Sequence, residues 1–149
     1  MSIYIFYSSI IQKRTNLGAH YHCVFNLKCH LVLVTKYRHK IFTNEMLIEL
    51  EAKTRELSDK WGVSILEFNG EKDHVHLLID INPSVQPSKF INNLKTVTSR
   101  HMRKIYGEYL RQFYWGTNAM WSRAYCLISV GGAPLSVLRE YIENQDRPL

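Results

Sequence analysis

Long hydrophobic runs are missing from this 149-residue chain. No stretch approaches the roughly 18 to 20 uninterrupted apolar residues that a bilayer-spanning helix needs, so no membrane segment is expected. Residues 1–11 are apolar and aromatic, but no basic segment precedes them and no clear small-residue cleavage site follows. A strand, an arm or an extended start is expected there rather than a secretion signal, and with it a cytoplasmic location. Cysteine is scarce: Cys23, Cys29 and Cys126 form no CxxC pair, and their odd number argues against a disulfide framework. Buried thiols in a reducing compartment are expected instead. Internal repeats, low-complexity tracts and interdomain linkers are absent too, leaving a single domain over 21–149 behind an arm, 1–20, of unknown role.

Acidic residues are outnumbered, 13 against 19 basic ones, giving a formal charge of +6 and a pI near 9.3. Such a balance favours a polyanionic partner, without specifying one.

What is present is a clear change of period along the chain. Residues 22–35 alternate, with Cys23, Phe25, Leu27, Cys29, Leu31 and Leu33 on one side and His22, Asn26, Lys28 and His30 on the other. That predicts a long strand with one buried face. The basic run Lys36-Tyr37-Arg38-His39-Lys40 then reads as a turn. Residues 44–61 switch to helical period, with Met46, Leu47, Leu50, Leu57 and Trp61 as the apolar stripe, and Gly62 as the stop. Two short strands are expected over 63–68 and 74–81, with Asn69-Gly70 suiting a tight hairpin between them. A second helix over about 88–106 carries Phe90, Ile91, Leu94, Val97 and Ile105 on its apolar side. Its other side carries Lys89, Asn93, Thr96, Arg100, Arg103 and Lys104. An aromatic loop region over 107–123 and a last strand over 124–130 follow. After Gly131-Gly132, Pro134 opens a short final helix. The order predicts an α+β fold of ferredoxin-like or RNA-recognition-like plan. An antiparallel sheet carries helices on one face, the other face is free, and an extra C-terminal helix is appended.

Two groups of residues carry candidate chemistry. His74 and His76, two apart on a strand, point to the open face while Val75, Leu77 and Ile79 point to the covered one. The imidazoles stand about 7 Å apart along the strand, a spacing that lets two nitrogens grip one ion; two surface histidines are the plain alternative. On the final helix, Tyr141 and Gln145 share a face at i and i+4. Tyr141 either extends the stripe of Leu135, Leu138 and Ile142 or serves as a nucleophile toward phosphorus. Asp73, just before the histidine pair, suits a turn or cap.

Three segments, Asp73-His74-Val75-His76-Leu77-Leu78, Thr35-Lys36-Tyr37-Arg38 and Tyr141-Ile142-Glu143-Asn144-Gln145, occur in an order and at separations that resemble the small HUH-class tyrosine transposases of bacterial and archaeal insertion sequences. The likeness spans roughly residues 21–145. It implies an enzyme that cleaves and rejoins single-stranded DNA at element ends through a 5′-phosphotyrosine and recognises DNA hairpins. It also implies Tyr141 as nucleophile, His74, His76 and Gln145 as ligands of Mg²⁺ or Mn²⁺, and a homodimer whose tyrosine helix can be exchanged about Gly131-Gly132. DNA contacts are expected from Lys36, Arg38, Lys40, Lys89, Arg100, Arg103 and Lys104, for each of which a solvated surface is the alternative. Trp115 and Trp121 either stack on unpaired bases or belong to the core. Two other functions stay open: a domesticated relative nicking repeated genomic hairpins, and a non-catalytic nucleic-acid-binding module, whose usual RNP signature is absent.

Overall fold

The computed structural model of the protein describes residues 18–20, 23–131 and 135–144. Outside them lie the predicted arm up to residue 17, His22, Gly132 of the predicted joint, Pro134 and Gln145. The side chains of Cys23, Leu135 and Leu138 are likewise outside the described set.

Strand β1 (Gly18–His20) pairs antiparallel with β2 (Cys23–Phe25), apart from the main sheet. Then follow β3 (Lys28–Val34), helix α1 (Asn44–Trp61), strands β4 (Ser64–Gly70) and β5 (His74–Asp80), helix α2 (Pro87–Arg111), strand β6 (Cys126–Ser129) and helix α3 (Leu135–Asn144). The main sheet runs β4-β5-β3-β6, with every neighbouring pair antiparallel. This is the split βαβ arrangement that the alternation of periods predicts.

Both faces of β3 are buried, for different reasons. Leu31 and Leu33 join Val75, Leu77 and Ile79 of β5 under the two long helices, where Met46, Leu50 and Leu57 of α1 meet Phe90, Ile91 and Leu94 of α2. Helix α1 starts where the Thr43 hydroxyl accepts the Met46 N–H at 3.2 Å, and it stops at Gly62, whose φ of 70° is the left-handed geometry glycine tolerates. On the other face, Val32 and Val34 are covered by Tyr141 and Ile142 of α3, with Cys126 and Ile128 beside them. The expectation of a wholly free second face is therefore corrected: α3 folds back onto part of it.

Four boundaries differ from the periodic reading. The single strand expected over 22–35 is broken at Asn26-Leu27, and Leu27 is exposed. The same alternation continues through the break, so period alone cannot see that β2 pairs with β1 rather than with the sheet. Asn69 and Gly70 are not the hairpin turn but the end of β4, paired with His76 and Val75. The loop is Glu71-Lys72-Asp73, closed by Glu71 N–H to the His74 carbonyl at 2.9 Å. Gly70 is required by packing instead, since a Leu47 methyl occupies the space a Cβ would fill. Helix α2 runs past 106 to Arg111 with a kink at Tyr106 (φ −116°, ψ 26°), Met102 taking the core position and Ile105 staying exposed. The last strand is the shorter β6.

Trp121 belongs to this core. Its ring is 5% exposed, lies 5.5 Å from that of Phe42, and donates its indole N–H to the Thr98 hydroxyl at 3.0 Å. Burial removes it from the set of base-stacking residues, whereas Trp115 is 90% exposed. Trp121→Ala is expected to cost about 3–5 kcal/mol in urea unfolding, as a large aromatic-to-alanine cavity does. Trp115→Ala should stay within about 0.5 kcal/mol of the parent.

Candidate active site on the sheet face

The alternation along β5 is strict: Val75, Leu77 and Ile79 are buried, and His74, His76, Leu78 and Asp80 are half-buried on the opposite side. Both histidines thus point to the face that α3 partly covers, as their spacing predicts. Val34 pairs with His74 across the β3–β5 register, and Val32 pairs with His76. Cross-strand partners have Cα atoms about 4.5–5.5 Å apart. Tyr141 packs on these two valines, so the phenol-bearing helix and both imidazoles belong to one neighbourhood within a single chain.

Asp73 organises the first imidazole. Its carboxylate is mostly buried and lies 2.8 Å from Nδ1 of His74. The carboxylate selects the tautomer with the proton on Nδ1, which leaves Nε2 of His74 as a free lone pair. The other carboxylate oxygen accepts from Nε and Nη2 of Arg38 at 3.3 and 3.2 Å. Asp73 is therefore an orienting residue, not only the turn former expected from its position.

Arg38 reaches further. Its Nη1 donates to the carbonyl of Glu143 at 3.2 Å, at the C-terminal end of α3, where helix carbonyls lack partners and carry partial negative charge. One guanidinium thus ties the tyrosine helix to the turn that precedes the histidines. Arg38, expected to contact phosphate, thus also has a structural task, with its Nε, Nη1 and Nη2 each donating inside the protein. Tyr37 and Arg38 both adopt left-handed backbone (φ 58° and 54°), a strained geometry for side-chain-bearing residues. The surroundings hold it. The single Thr35 hydroxyl hydrogen is shared between the carbonyls of His39 (2.7 Å) and Asp73 (3.1 Å), and the Tyr114 hydroxyl donates to that of Lys36 (3.0 Å).

His76 has a different partner, one that sequence reasoning missed. His30 of β3 shares a hydrogen bond with it, Nδ1 to Nε2, at 2.9 Å. Burial lowers the pKa of His76, and neighbouring His30 and His74 lower it further against the opposing pull of Glu67. His76 is therefore neutral at neutral pH. His30 was legible only as the outward side of an alternating strand; the pairing of β3 with β5 makes it a neighbour of the site.

An open cleft of about 450 Å³ adjoins His74, walled by Lys40, Lys72, Asp73, Arg139, Ile142 and Glu143 among others. Lys40, expected to meet DNA, is here, and the unforeseen Lys72 and Arg139 add two cations. Lys36 instead lies 5.2 Å from the ring of Tyr37. Lys89, Arg100 and Lys104 are exposed on α2, and Arg103 is half-buried there. Arg100 and Arg103 line a second groove, of about 480 Å³, with Lys95 and Arg123, which shares no residue with the first. Among the described residues, no three His, Cys, Asp or Glu side chains already converge as a metal site.

Comparison with known proteins adds a decisive match. Residues 23–145 fit the family model described as transposase, IS200-like. The chain belongs to the IS200-like transposase family. It is 30% identical over 122 residues to the ISDra2 transposase TnpA of Deinococcus radiodurans, covering 82% of this chain and 86% of that one. It is also 30% identical over 124 residues to the transposase of insertion sequence element IS200 of Salmonella typhimurium, covering 83% and 80%. A crystal structure of a Deinococcus radiodurans transposase superposes with a TM-score of 0.78 at 28% identity, over 87% of this chain and 98% of that one. A REP-associated tyrosine transposase bound to a REP hairpin shares the fold alone, with a TM-score of 0.52 at 8% identity over 85% and 68%. This transposase is accordingly a DNA-cleaving and rejoining enzyme of a mobile element, not a non-catalytic binding module. Among its described residues, no helix is long and apolar enough to cross a membrane.

The lowered pKa of His76 has a thermodynamic consequence. A histidine depressed in the folded state takes up its proton more readily when unfolded, so the unfolded state gains protons first as pH falls. Stability should therefore decline as pH drops through the ordinary histidine value of about 6.5, continuing until the folded group protonates. Replacing His76 by Gln should flatten that slope in urea unfolding followed between pH 7.5 and 5.

Proposed function

We propose that this transposase cuts and rejoins single-stranded DNA at insertion-sequence ends through a 5′-phosphotyrosine on Tyr141. The observation that carries the reading is the packing of Tyr141 on Val32 and Val34, the strand partners of His76 and His74. The Tyr141 oxygen attacks phosphorus, the bond from phosphorus to the 3′-oxygen breaks, and the leaving strand keeps a 3′-hydroxyl while the phenol proton passes to solvent. In the second step a 3′-hydroxyl of another end attacks the phosphotyrosine, the bond to Tyr141 breaks, and the phenol regains a proton. Bond number is conserved, so no nucleotide triphosphate is needed.

The residues fit a divalent ion, Mg²⁺ or Mn²⁺. His74 keeps Nε2 free because Asp73 holds Nδ1, the arrangement usual behind a ligating histidine, and His76 is neutral. His74, His76 and Gln145 are the ligands in this reading. A bound ion would polarise the scissile phosphate. Asp73 orients His74, Arg38 holds α3 against the site, and Lys40, Lys72 and Arg139 attract the phosphate backbone into the cleft.

The substrate is a single strand with hairpin ends. The hairpin bound by the REP-associated neighbour supports this choice by fold. Exposed Trp115 offers a surface for an unpaired base, and Lys89, Arg100 and Lys104 offer charge for a duplex stem. The working unit is a homodimer. Gly131, in left-handed geometry with φ 84°, is a joint about which α3 can exchange between subunits.

Tyr141→Phe should abolish covalent attachment to labelled single-stranded DNA and leave hairpin binding within about twofold. Cleavage surviving in that variant would refute the nucleophile. His74→Ala should remove metal-dependent cleavage of the same substrate, and unchanged activity at limiting Mn²⁺ would refute the ion site.

A further inference from the structure

A basic groove runs along α2, apart from the cleft beside His74. Two hollows, of about 480 and 250 Å³, meet there and share Arg103, Asn118, Ala119 and Met120. Five cations line them, Lys95, Arg100, Arg103, Arg111 and Arg123, and among the described lining residues there is no carboxylate. The cleft beside His74, in contrast, includes Glu71, Asp73 and Glu143. On α2 the cations extend from residue 95 to 111, about 24 Å of helix at 1.5 Å per residue.

The walls are tied to one another by the fold. Lys95 Nζ donates to the Arg123 carbonyl at 2.8 Å, Ser99 Oγ to the Asn118 carbonyl at 3.4 Å, and the Trp121 indole to Thr98. The same segment is joined to β3 and the turn after it. Lys36 N–H donates to the Met120 carbonyl and Ser122 N–H to the Val34 carbonyl, both at 2.8 Å. Val34 is one of the two valines on which Tyr141 packs, so the groove shares a wall with the strand beneath the tyrosine helix.

Two residues in the groove are not accounted for by packing. Arg103 is half-buried, and its Nη1 is sealed from solvent without a hydrogen-bond partner. Burial, and beyond it the charge of Arg100, lowers its pKa. The fold therefore carries a desolvation cost at this guanidinium that a neighbouring anion would offset. Gly107 stands inside α2, where glycine is less stable than alanine. A Cβ there would meet nothing within 4 Å, and the backbone is not left-handed, so neither space nor φ demands a glycine. Its bare backbone lines the smaller hollow and leaves it open to another molecule.

We propose that this groove is a track for unpaired DNA, with Arg103 and Arg123 neutralising phosphates and Gly107 admitting the strand's backbone. The inference rests on the single-stranded substrate proposed above and gives the unpaired strand a route of its own. A run of cations without carboxylates suits a row of phosphates rather than one small anion. Exposed Trp115 follows Tyr114 of the same wall, so cations and an aromatic face occur together, the combination that single-strand binders use.

Fluorescence anisotropy of labelled oligo-dT, which forms no hairpin, reads binding to the full chain in chelator, without cleavage. Arg103→Gln and Arg123→Gln should each lose at least about fivefold in affinity. Each should also lower the slope of log affinity against log salt by about 0.7, the share of one phosphate contact on a single strand. Gly107→Gln should lose affinity while its urea midpoint stays at or above the parent's, because glutamine favours the helix. Lys60→Gln, which removes the same charge from exposed α1, should stay within about twofold. Parent-like affinity in Arg123→Gln and Gly107→Gln would overturn the track even if Arg103→Gln failed to fold. An equal loss in Lys60→Gln would overturn it as well, by showing diffuse attraction rather than a groove. Hairpin binding lost with oligo-dT binding intact would overturn the assignment to unpaired DNA. Since no chemistry is read, failure of Tyr141 as nucleophile would leave each of these outcomes unchanged.

Discussion

The carboxylate of Asp73 holds together the parts of this protein that have to act together. One oxygen fixes the tautomer of His74, and the other anchors Arg38, whose Nη1 grips the last turn of the tyrosine helix. The group is mostly buried, and a buried carboxylate is tolerable only when charge and hydrogen bonds compensate it. Here the compensating groups are the ones that need positioning. Desolvation cost is thus converted into geometry: the histidine strand, the strained turn at Tyr37 and Arg38, and α3 are held to one another through the two Asp73 oxygens and the three Arg38 nitrogens.

Around this bridge the chain separates rigidity from mobility. The histidines stand on the two central strands of a four-stranded sheet, with one face sealed by α1 and α2. Their backbone positions are therefore set by ladders on both sides. The tyrosine helix meets the main body at Val32, Val34 and Arg38, and Gly131 precedes it.

The comparisons sharpen what fold and site each contribute. At 8% identity the ferredoxin-like plan persists with a TM-score of 0.52, so the fold tolerates almost complete replacement of side chains. At 28% identity the score is 0.78 over nearly the whole neighbour. Function follows the site rather than the plan, since the same plan serves RNA-binding modules. Within this chain the proposed site draws on few residues: the outward side of β5, the turn before β5, and one face of α3.

Periodicity made the sheet, both long helices and the outward aim of His74 and His76 legible, because burial of one face imposes a repeat of two on strands and 3.6 on helices. Thr43 and Gly62 marked the ends of α1 through local chemistry alone. The motifs led to Tyr141 by resemblance, while Gln145 lies outside the described residues. What local pattern could not contain was pairing between distant segments. Asn69-Gly70 has the composition of a turn, yet Leu47 from another element decides its place. Trp115 and Trp121 are alike in sequence, and only the packing of Phe42 and Thr98 around one of them separates core from surface. Arg38 looked like a free cation until Asp73 and Glu143 claimed it, and His30 became a neighbour of His76 through strand register alone. Side-chain period is a property of a segment and can be read from it, whereas a contact belongs to two segments and exists only once the chain has folded.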